Sequence, residues 1–474
     1  MRTRHALFIG LLLLATGAGG PAAHATDAAA TTLHALFDDY HAWYHDAFPE
    51  EARRRGHEGF GDRLTDHSLA GIERRHAARG EFLRRLEAID PAALGERDRV
   101  SWEILRLQLR QAIRNHDFRD FLMPIGGWFG PEQRIPQMHT QSRFHSLRDH
   151  EDYLVRLELV PRWVDALIER MDRGIAEGRV PPEVVIRIVP RQLRAALDEG
   201  GLAELGAPLR NLPETVSAAD TERLRARFES TSYPVVENAL RRLLNYVEGT
   251  YLPACRSTIA AADLPDGEAY YDHQLRMMTT LPLTAEAIHR IGQEEVRRIR
   301  RDMLEVIRET DFLDTRPELR DADDDAVFEA FVQWLRTDAR FYHRSPRRLI
   351  EGYQAICKEI DAALPQFFRT LPRLSYAVKA IPSFMPPNKT TAYYSSGSLE
   401  HGRAGYFYAN TYALRQRPKY EMRALALHEA VPGHHLQIAI AQELTDLPEF
   451  RRYAWFTAYG EGWALYAEHL GTEM

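Results

Sequence analysis

The sequence predicts a mainly α-helical protein that contains one small β-sheet. Over most of the chain, apolar residues recur every three or four positions, which is the period of an amphipathic helix. Between residues 373 and 411 the pattern changes to short β-branched and aromatic runs, bounded by glycine, proline, asparagine and serine, which is typical of strands. A histidine-rich helical segment follows these strands directly and carries the candidate chemistry.

The composition of the 474-residue chain is that of an ordinary globular protein, with 45% hydrophobic and 27% charged residues. The formal net charge of −7 argues against a nucleic-acid partner, because such proteins present a basic surface to phosphates. The two cysteines, Cys255 and Cys357, lack the spacing of metal ligands. Histidines and carboxylates are therefore the candidate ligands for a metal.

Residues 1–25 are predicted to be a cleaved secretory signal. A basic MRTRH precedes the apolar run ALFIGLLLLATGAGG, and Ala23 and Ala25 then form an A-x-A cleavage pattern. A membrane anchor is the alternative, but the run is short for a span and ends in glycines. Without a cysteine at the cleavage point we do not expect a lipoprotein. We expect a periplasmic or secreted protein with no membrane span after signal cleavage.

Helical periodicity begins directly after the signal. Residues 27–49 predict a helix that stops at Pro49, and residues 148–178 and 221–253 show the same pattern. Thr284 is predicted to cap a further helix. The apolar stripe of that helix is expected to pack in the core and consists of Ile288, Ile291, Ile299 and Met303.

Two segments suggest how the chain is divided. The stretch LPDG at residues 264–267 is the clearest candidate break, so we expect an N-terminal helical region over residues 26–260 and a catalytic region over residues 261–474. Residues 123–136 are rich in glycine and proline and predict a loop that could line a cleft.

Residues 374–382, 391–398 and 405–412 predict two or three strands. An exposed edge strand could hold an extended peptide through main-chain hydrogen bonds, although a sheet that only packs is equally compatible with the pattern. The candidate substrate contacts from the edge strand are Arg403, Tyr406, Tyr408 and Asn410.

The segment HEAVPGHH, residues 428–435, contains the candidate metal ligands, and the sequence on both sides of Pro432 has helical periodicity. In a straight helix, which advances about 100° per residue, His428 and His434 would lie about 120° apart around the axis. His435 would be in phase with His428 but two turns away. A straight helix therefore does not make a good metal site.

Pro432 and Gly433 predict that this helix is not straight. Pro432 cannot donate to the carbonyl of His428, and its ring would clash there, while Gly433 permits an irregular backbone. A local insertion at this point would move His434 into the place of a residue four positions after the first ligand. The alternative is a solvated kink that carries surface histidines.

The segment YGEGWALYAEHL supplies a candidate third ligand. Glu461 and Glu468 lie on one helical face, and Gly460 and Gly462 leave room around the first of them. Two histidines and a glutamate form the three-protein-ligand set of a catalytic zinc, with water in the fourth position. Glu429 would be the general base, and Glu468 could orient a histidine ligand. Simple solvation of two glutamates on a helix face is the alternative.

The blocks GRAGYFYANTY, ALHEAVPGHHLQ and GEGWALYAE, together with residues 251–299, resemble the bacterial domain of unknown function 885 family. That family is grouped with zinc metallopeptidases of the thermolysin and angiotensin-converting-enzyme type. The resemblance implies a large helical zincin-like fold with a small β-sheet beside the active-site cleft. Members of the family usually extend beyond the position of Met474, so we expect this chain to be C-terminally truncated.

The same resemblance implies a residue-by-residue assignment of the site. It implies Zn²⁺ held by His428, His434 and Glu461, with Glu429 as the catalytic base. His434 is favoured over His435, because the family motif fixes the histidine that directly follows Pro-Gly.

The sequence therefore predicts an exported zinc-dependent metallohydrolase, and in particular a peptidase that acts on a peptide or small amide substrate. Two alternatives remain open. The same zinc chemistry could act on a non-peptide amide or ester, or the protein could be a non-catalytic binding protein with a degenerate site. The presence of Glu429 argues against the second alternative, because a structural zinc needs no base.

Overall fold

A computed structural model describes residues 21–126, 130–141, 144–198, 200–381, 390–400 and 402–474. Over these residues the protein is mainly α-helical with a small three-stranded sheet, which confirms the predicted fold class. Residues 1–20, most of the predicted signal, lie outside the described residues. None of the described helices is long and apolar enough to cross a membrane.

The N-terminal half is built from helices that surround two apolar cores. These helices are α1 (Pro21–Ala47), α2 (Pro49–Arg55), α3 (Leu69–Glu87), α4 (Glu96–Asp117), α5 (Pro131–Arg134), α6 (Leu147–Ala176), α7 (Glu183–Ile186), α8 (Val189–Asp198), α9 (Ala218–Arg227), α10 (Tyr233–Tyr246) and α11 (Leu252–Ala254). Helix α6 starts with a capping box between Ser146 and Asp149. Apolar side chains of α6, α8 and α10 form the larger core, and those of α1, α3 and α4 form the second.

The chain then continues through α12 (Gly267–Thr279), α13 (Ala285–Glu309), α14 (Phe312–Thr315), α15 (Asp324–Thr337) and α16 (Pro346–Phe367). Thr284 caps α13 as predicted, since its hydroxyl accepts a hydrogen bond from the amide of Ala287. The predicted burial of the α13 stripe is wrong, because Ile291 and Ile299 are 50% and 45% exposed. Periodicity identifies the apolar face of a helix but not whether another element covers it.

The last part of the chain consists of β1 (Tyr376–Ala380), β2 (Ala392–Ser395), β3 (Gly405–Ala409), α17 (Lys419–Glu429), α18 (His434–Glu443), α19 (Glu449–Arg452) and α20 (Thr457–Leu470). The strand order is β1-β3-β2, with β3 parallel to β1 and antiparallel to β2. One face of this sheet packs with α16, α17 and α18 in a third core.

Short 3₁₀ and π turns connect or extend these helices. The 3₁₀ segments are Pro91–Ala93, Asp120–Leu122, Ile135–Gln141, Gly201–Leu209, Ala261–Asp263, Pro317–Leu319, Ala339–Phe341 and Leu414–Gln416, and the π segments are Phe228–Ser232 and Val247–Tyr251. The predicted break at residues 264–267 falls between α11 and α12. Phe450 of α19 packs into the core of α1, α3 and α4, so the two ends of the chain share that core. The division at residue 260 stays a prediction.

Candidate metal centre and cleft

The helix that carries the histidines is interrupted where the sequence predicts it. Helix α17 ends at Glu429, α18 begins at His434, and the peptide bond before Pro432 is cis. Across the interruption, the amide of His435 donates to the carbonyl of Ala430 at 3.0 Å. This bond closes over five residues instead of the four of a regular α-helix, which agrees with a local insertion.

Two contacts explain why this sequence holds the interruption. A Cβ atom on Gly433 would lie 1.9 Å from the carbonyl oxygen of His428, so only glycine fits there. Trp463 of α20 donates its Nε1 hydrogen to the carbonyl of Pro432 at 2.7 Å. Helix α20 is thereby tied to the same turn that positions the histidines.

The interruption brings His428 and His434 together opposite Glu461 of α20. The two imidazole rings are 4.7 Å apart between centroids, with their planes at 85°. Glu461 Oε2 lies 3.4 Å from Nε2 of His428 and 3.7 Å from Nε2 of His434. The structure thus brings together the three residues predicted as ligands, and we refer to them as the cleft triad.

The spacing within the cleft triad fits a metal ion. An N–H···O hydrogen bond needs roughly 2.7–3.2 Å between its heavy atoms, and both Nε2–Oε2 distances are longer. Ligand atoms at about 2.0–2.2 Å from a tetrahedral zinc lie about 3.3–3.6 Å from one another. Two imidazoles and one carboxylate are also a donor set that catalytic zinc sites use. The residues present therefore fit a zinc ion.

Neighbouring residues orient the triad. Glu468 Oε1 lies 2.8 Å from Nδ1 of His428, the contact expected of a carboxylate that orients a histidine ligand. Nδ1 of His434 is buried and has no hydrogen-bond partner in the described part of the chain. The Trp455 ring packs beside His434, and a Cβ on Gly460 would lie 2.3 Å from that ring. Gly460 thus makes room for Trp455, not for the neighbouring glutamate as predicted.

His435, the alternative ligand, is occupied elsewhere. Its Nε2 lies 3.0 Å from the carbonyl of Leu374 and its Nδ1 lies 2.9 Å from the hydroxyl of Tyr394. A carbonyl can only accept, so Nε2 donates and Nδ1 accepts from Tyr394. Burial lowers the pKa of His435 to about 4. A Cβ on Gly405 would lie 2.3 Å from the Tyr394 hydroxyl, so this glycine makes room for the tyrosine.

Glu429 lies beside the triad and is 7% exposed. The backbone amide of Tyr394 on β2 donates to its carboxylate. Burial raises the pKa of Glu429 to about 7, with the charge of His428 opposing this shift and that of Glu461 adding to it. A buried carboxylate with a fixed hydrogen-bond donor is a typical environment for a general base.

The triad and Glu429 lie on the wall of a cleft of about 1840 Å³. This volume exceeds the roughly 300–1,000 Å³ of ordinary ligand pockets. The cleft is also lined by residues of α2, α3, α4 and α6, which no sequence pattern connects to the histidines. Within residues 123–136, where the sequence suggests a cleft-lining loop, Gln133 and Arg134 do line the cleft, but they lie on α5.

The predicted edge strand is wrong. Residues 405–412 contain β3, which lies between the other two strands, while β2 is the edge that reaches the cleft. The amide of Asn410 donates to the carbonyl of Thr391, so Ala392 and Tyr394 direct their backbone groups away from β3. The amide of Tyr394 is the one that meets Glu429.

Of the four predicted substrate contacts, Arg403, Tyr406 and Tyr408 line the cleft. Asn410 does not fit the prediction, because it is 4% exposed and bonds the neighbouring backbone. Its Nδ2 donates to the carbonyl of Thr390, and its Oδ1 accepts from the amide two residues later. This contact pattern fixes the turn after β3 instead of facing a substrate.

A second group of the same residue types was missed by sequence reasoning. His45, His57 and Glu449, which we call the α19 triad, also have potential ligand atoms within 4.8 Å of one another. Nε2 of His45 and Nε2 of His57 each lie 3.1 Å from a Glu449 oxygen, and Arg55 Nη1 lies 3.3 Å from Oε1. The residues are too far apart in the sequence for spacing to connect them.

The fold and the site define a class: a mainly helical protein whose interrupted helix presents a two-histidine, one-glutamate centre to a large cleft. The chain belongs to the family described as "Bacterial protein of unknown function (DUF885)", which matches residues 49–474. This confirms the family predicted from the motifs. A search of the curated proteins finds no match to this chain.

Two solved structures have a similar fold. One is described as "the putative lipoprotein from Colwellia psychrerythraea", with a TM-score of 0.79 and 21% identity over 95% of this chain and 78% of that chain. The other is described as "a putative lipoprotein of unknown function from Shewanella oneidensis", with a TM-score of 0.63 and 16% identity over 94% of this chain and 77% of that chain. At these identities the similarity establishes the fold alone.

Proposed function

We propose that this protein is an exported zinc-dependent metallohydrolase that cleaves peptides. His428, His434 and Glu461 would hold the zinc ion, and Glu429 would act as the general base. The observation that carries the proposal is the convergence of two Nε2 atoms on one Glu461 oxygen, beside a buried carboxylate in a large cleft. The proposed zincin-like relationship and the periplasmic or secreted location rest on the sequence motifs and the N-terminal signal pattern.

Each residue has a distinct part in this chemistry. A zinc ion, when bound, lowers the pKa of a water molecule and polarises a carbonyl group. Glu429 accepts the proton of the attacking water and returns it to the nitrogen of the leaving amine. The amide of Tyr394 holds the Glu429 carboxylate on the cleft side of β2. Glu468 fixes the orientation of His428 by accepting the hydrogen of Nδ1.

The edge of β2 that faces away from β3 would be the binding surface for a peptide. Residues 393–396 line the cleft, and one edge of β2 is not paired with β3. An extended peptide can add to such an edge through main-chain hydrogen bonds, here through backbone groups other than the Tyr394 amide, which bonds Glu429. Arg403, Tyr406 and Tyr408 lie on the same wall and would contact its side chains.

The proposal is tested with a peptide-library hydrolysis assay on the zinc-loaded protein and on Glu429→Gln. Wild type is expected to cleave library peptides, and Glu429→Gln is expected to retain zinc while its kcat falls about 10²- to 10⁴-fold. Glu473→Gln, an exposed change just after α20, serves as the matched control and should leave zinc content and kcat unchanged.

A protein that binds zinc but hydrolyses only esters or non-peptide amides in a parallel screen would contradict the peptidase assignment and keep the hydrolase. Zinc binding without turnover of any substrate would favour a binding protein with a degenerate site. A Glu429→Gln variant as active as wild type would overturn the role of the base.

A further inference from the structure

The cleft is also lined by a second polar cluster. Its residues come from the N-terminal half of the chain and are remote in sequence from β2 and the cleft triad. His67, Arg75, Arg134, Trp163 and Arg170 come from the turn before α3 and from α3, α5 and α6, and all five line the cleft. The His67 ring stacks on the Trp163 ring, with centroids 5.2 Å apart and planes at 15°. We refer to these five residues as the arginine pocket.

Trp163 leaves a buried donor in the arginine pocket without a partner. The side chain is 9% exposed, and its Nε1 atom is buried with no hydrogen-bond partner among the described residues. A buried indole N–H is normally hydrogen-bonded, because an unpaired donor loses its contact with water and gains nothing in return. An unpaired donor that lines a cleft is therefore suited to a ligand that supplies an acceptor.

The three arginines of the pocket are not neutralised by salt bridges in the part of the chain that the structure describes. Arg170 is 9% exposed and donates Nε to the carbonyl of Phe121 at 2.7 Å. Arg75 donates to the backbone carbonyl of Asp66. Arg134 is exposed on α5, and no carboxylate pairs with it in the described ranges.

Three acids lie near these arginines, and all three are engaged elsewhere. The Glu50 carboxylate, which lines the cleft and acts on Arg75, accepts hydrogen bonds from the amide and the hydroxyl of Thr65. The Asp66 carboxylate accepts hydrogen bonds from Ser68 and pairs with Arg74. The Asp120 carboxylate accepts from Asn115 Nδ2 at 2.7 Å. None of the three forms a salt bridge with an arginine of the pocket in the described residues, so their charges offset the pocket only at longer range.

The electrostatics of His67 and Arg170 agree with an excess of positive charge. Burial lowers the pKa of His67 to about 3, and the charges of Arg170, Arg75 and Arg134 act in the same direction. Burial also lowers the pKa of Arg170 to about 10, with Arg75 adding to the shift. The imidazole is therefore neutral near pH 7 and can donate or accept a hydrogen bond.

We propose that the arginine pocket binds a carboxylate group of the substrate. Guanidinium groups bind carboxylates through paired, charge-assisted hydrogen bonds, and the Trp163 N–H is a further donor. The identification of the ligand as a peptide rests on the proposed function. The carboxylate is either the C-terminus of the peptide or an Asp or Glu side chain, and the two sources share the same chemistry.

The test compares matched peptides on the zinc-loaded full chain, using one that wild type cleaves. Each sequence is made with a free and an amidated C-terminus, and with Glu or Gln at each side-chain position. Arg134→Gln is the test variant, because Arg134 is exposed and its loss leaves no described partner unpaired. Arg162→Gln, a change at an exposed residue of α6 that does not line the cleft, is the matched control.

Arg134→Gln is expected to raise KM for the carboxylate-bearing peptide about 10- to 100-fold, with kcat and zinc content little changed. Amidation or the Glu→Gln change should raise KM for wild type by a similar factor and remove the difference between wild type and Arg134→Gln. Sensitivity to amidation identifies the C-terminus as the ligand, and sensitivity to Glu→Gln identifies the side chain. Insensitivity to both changes overturns the proposal.

Equilibrium binding separates failure of this inference from failure of the proposed function. The same peptides are titrated into Glu429→Gln by calorimetry and by tryptophan fluorescence, which needs no turnover. The proposal is supported, even if wild type cleaves nothing, when binding weakens both on removal of the carboxylate and in Arg134→Gln. The fluorescence change on binding should also be lost in Trp163→Phe. Binding indifferent to the carboxylate, or no saturable binding, contradicts the proposal.

Discussion

The cleft triad and the α19 triad contain the same residue types but differ in what surrounds them. In the cleft triad, the histidine nitrogens lie 3.4 and 3.7 Å from Glu461 Oε2, beyond hydrogen-bond length. In the α19 triad the corresponding distances to Glu449 are 3.1 Å, and Arg55 adds a permanent positive charge at 3.3 Å. The cleft triad therefore leaves room for a metal cation. In the α19 triad, the guanidinium of Arg55 already supplies the positive charge.

The carboxylates of the two triads show the same difference. Burial alone would raise the pKa of Glu449, but the hydrogen bond from His45 and the charges of His45, His57 and Arg55 hold it well below its usual range. Glu461 has no arginine partner among the described residues and is half-exposed to the cleft. Residue type alone therefore does not define a metal site, because spacing and local charge decide which triad can accept an ion.

The change with the greatest predicted consequence is the loss of a histidine ligand, which should affect metal content in the cleft triad but not in the α19 triad. His434→Ala should lose the bound zinc, because two ligands do not hold a catalytic zinc tightly. His57→Ala, the matched change in the α19 triad, should keep about one zinc per chain. Elemental analysis of the purified variants measures both. Loss of zinc in His57→Ala with retention in His434→Ala would reverse the comparison.

A smaller effect on zinc binding is expected from a change of Glu468, whose carboxylate contacts His428. Glu468→Gln weakens the hydrogen bond that orients His428, so zinc affinity should fall about 10- to 100-fold. Competition with a zinc chelator of known affinity measures this change. Glu473→Gln, an exposed change just after α20, is the control. Equal affinity in Glu468→Gln and wild type would show that His428 is held by packing alone.

The smallest effect is expected on the stability of the fold, from a change of Glu449 in the α19 triad. Glu449→Gln should lower the free energy of unfolding by about 1–3 kcal/mol at neutral pH, because charged hydrogen bonds to His45, His57 and Arg55 weaken. Zinc content should not change. Denaturant unfolding monitored by circular dichroism measures the loss, with the exposed Glu81→Gln as control.

The stabilisation that the Glu449 carboxylate contributes to the fold should decrease at acidic pH. The pKa of Glu449 in the folded protein is depressed from its ordinary value of 4.5, so its stabilisation is fully present above pH 4.5. It is lost as the pH falls from 4.5 towards the folded value. The titratable and charged groups that face Glu449 include His41, His45, His57, Arg55 and Tyr453. A difference between wild type and Glu449→Gln that grows as the pH falls below 4.5 would contradict this assignment.

Local features of the fold and site could be predicted from sequence, because each depends on neighbouring residues. Proline lacks the amide hydrogen that a helix needs, so the interruption at Pro432 follows from its chemistry. The cap at Thr284 and the three strand segments follow from equally local patterns. The juxtaposition of His428 and Glu461 rests on two helices whose motifs carry the family signature.

Long-range features could not be predicted in this way. Strand order is set by tertiary packing, which places β3 between β1 and β2 instead of at the predicted edge of the sheet. Asn410 is polar and follows a strand near the site, but only the structure shows that its amide bonds the adjacent turn. The α19 triad and the arginine pocket join residues from distant helices, and no spacing in the sequence signals either.

Anomalous scattering at the zinc edge, from crystals of the zinc-loaded protein, would locate the metal ion and distinguish the two triads. One strong peak is expected between Nε2 of His428, Nε2 of His434 and the Glu461 carboxylate, and no peak is expected at Glu449. A peak between His45, His57 and Glu449, with none in the cleft, would contradict this expectation. So would the absence of any ordered zinc in a folded, metal-saturated crystal.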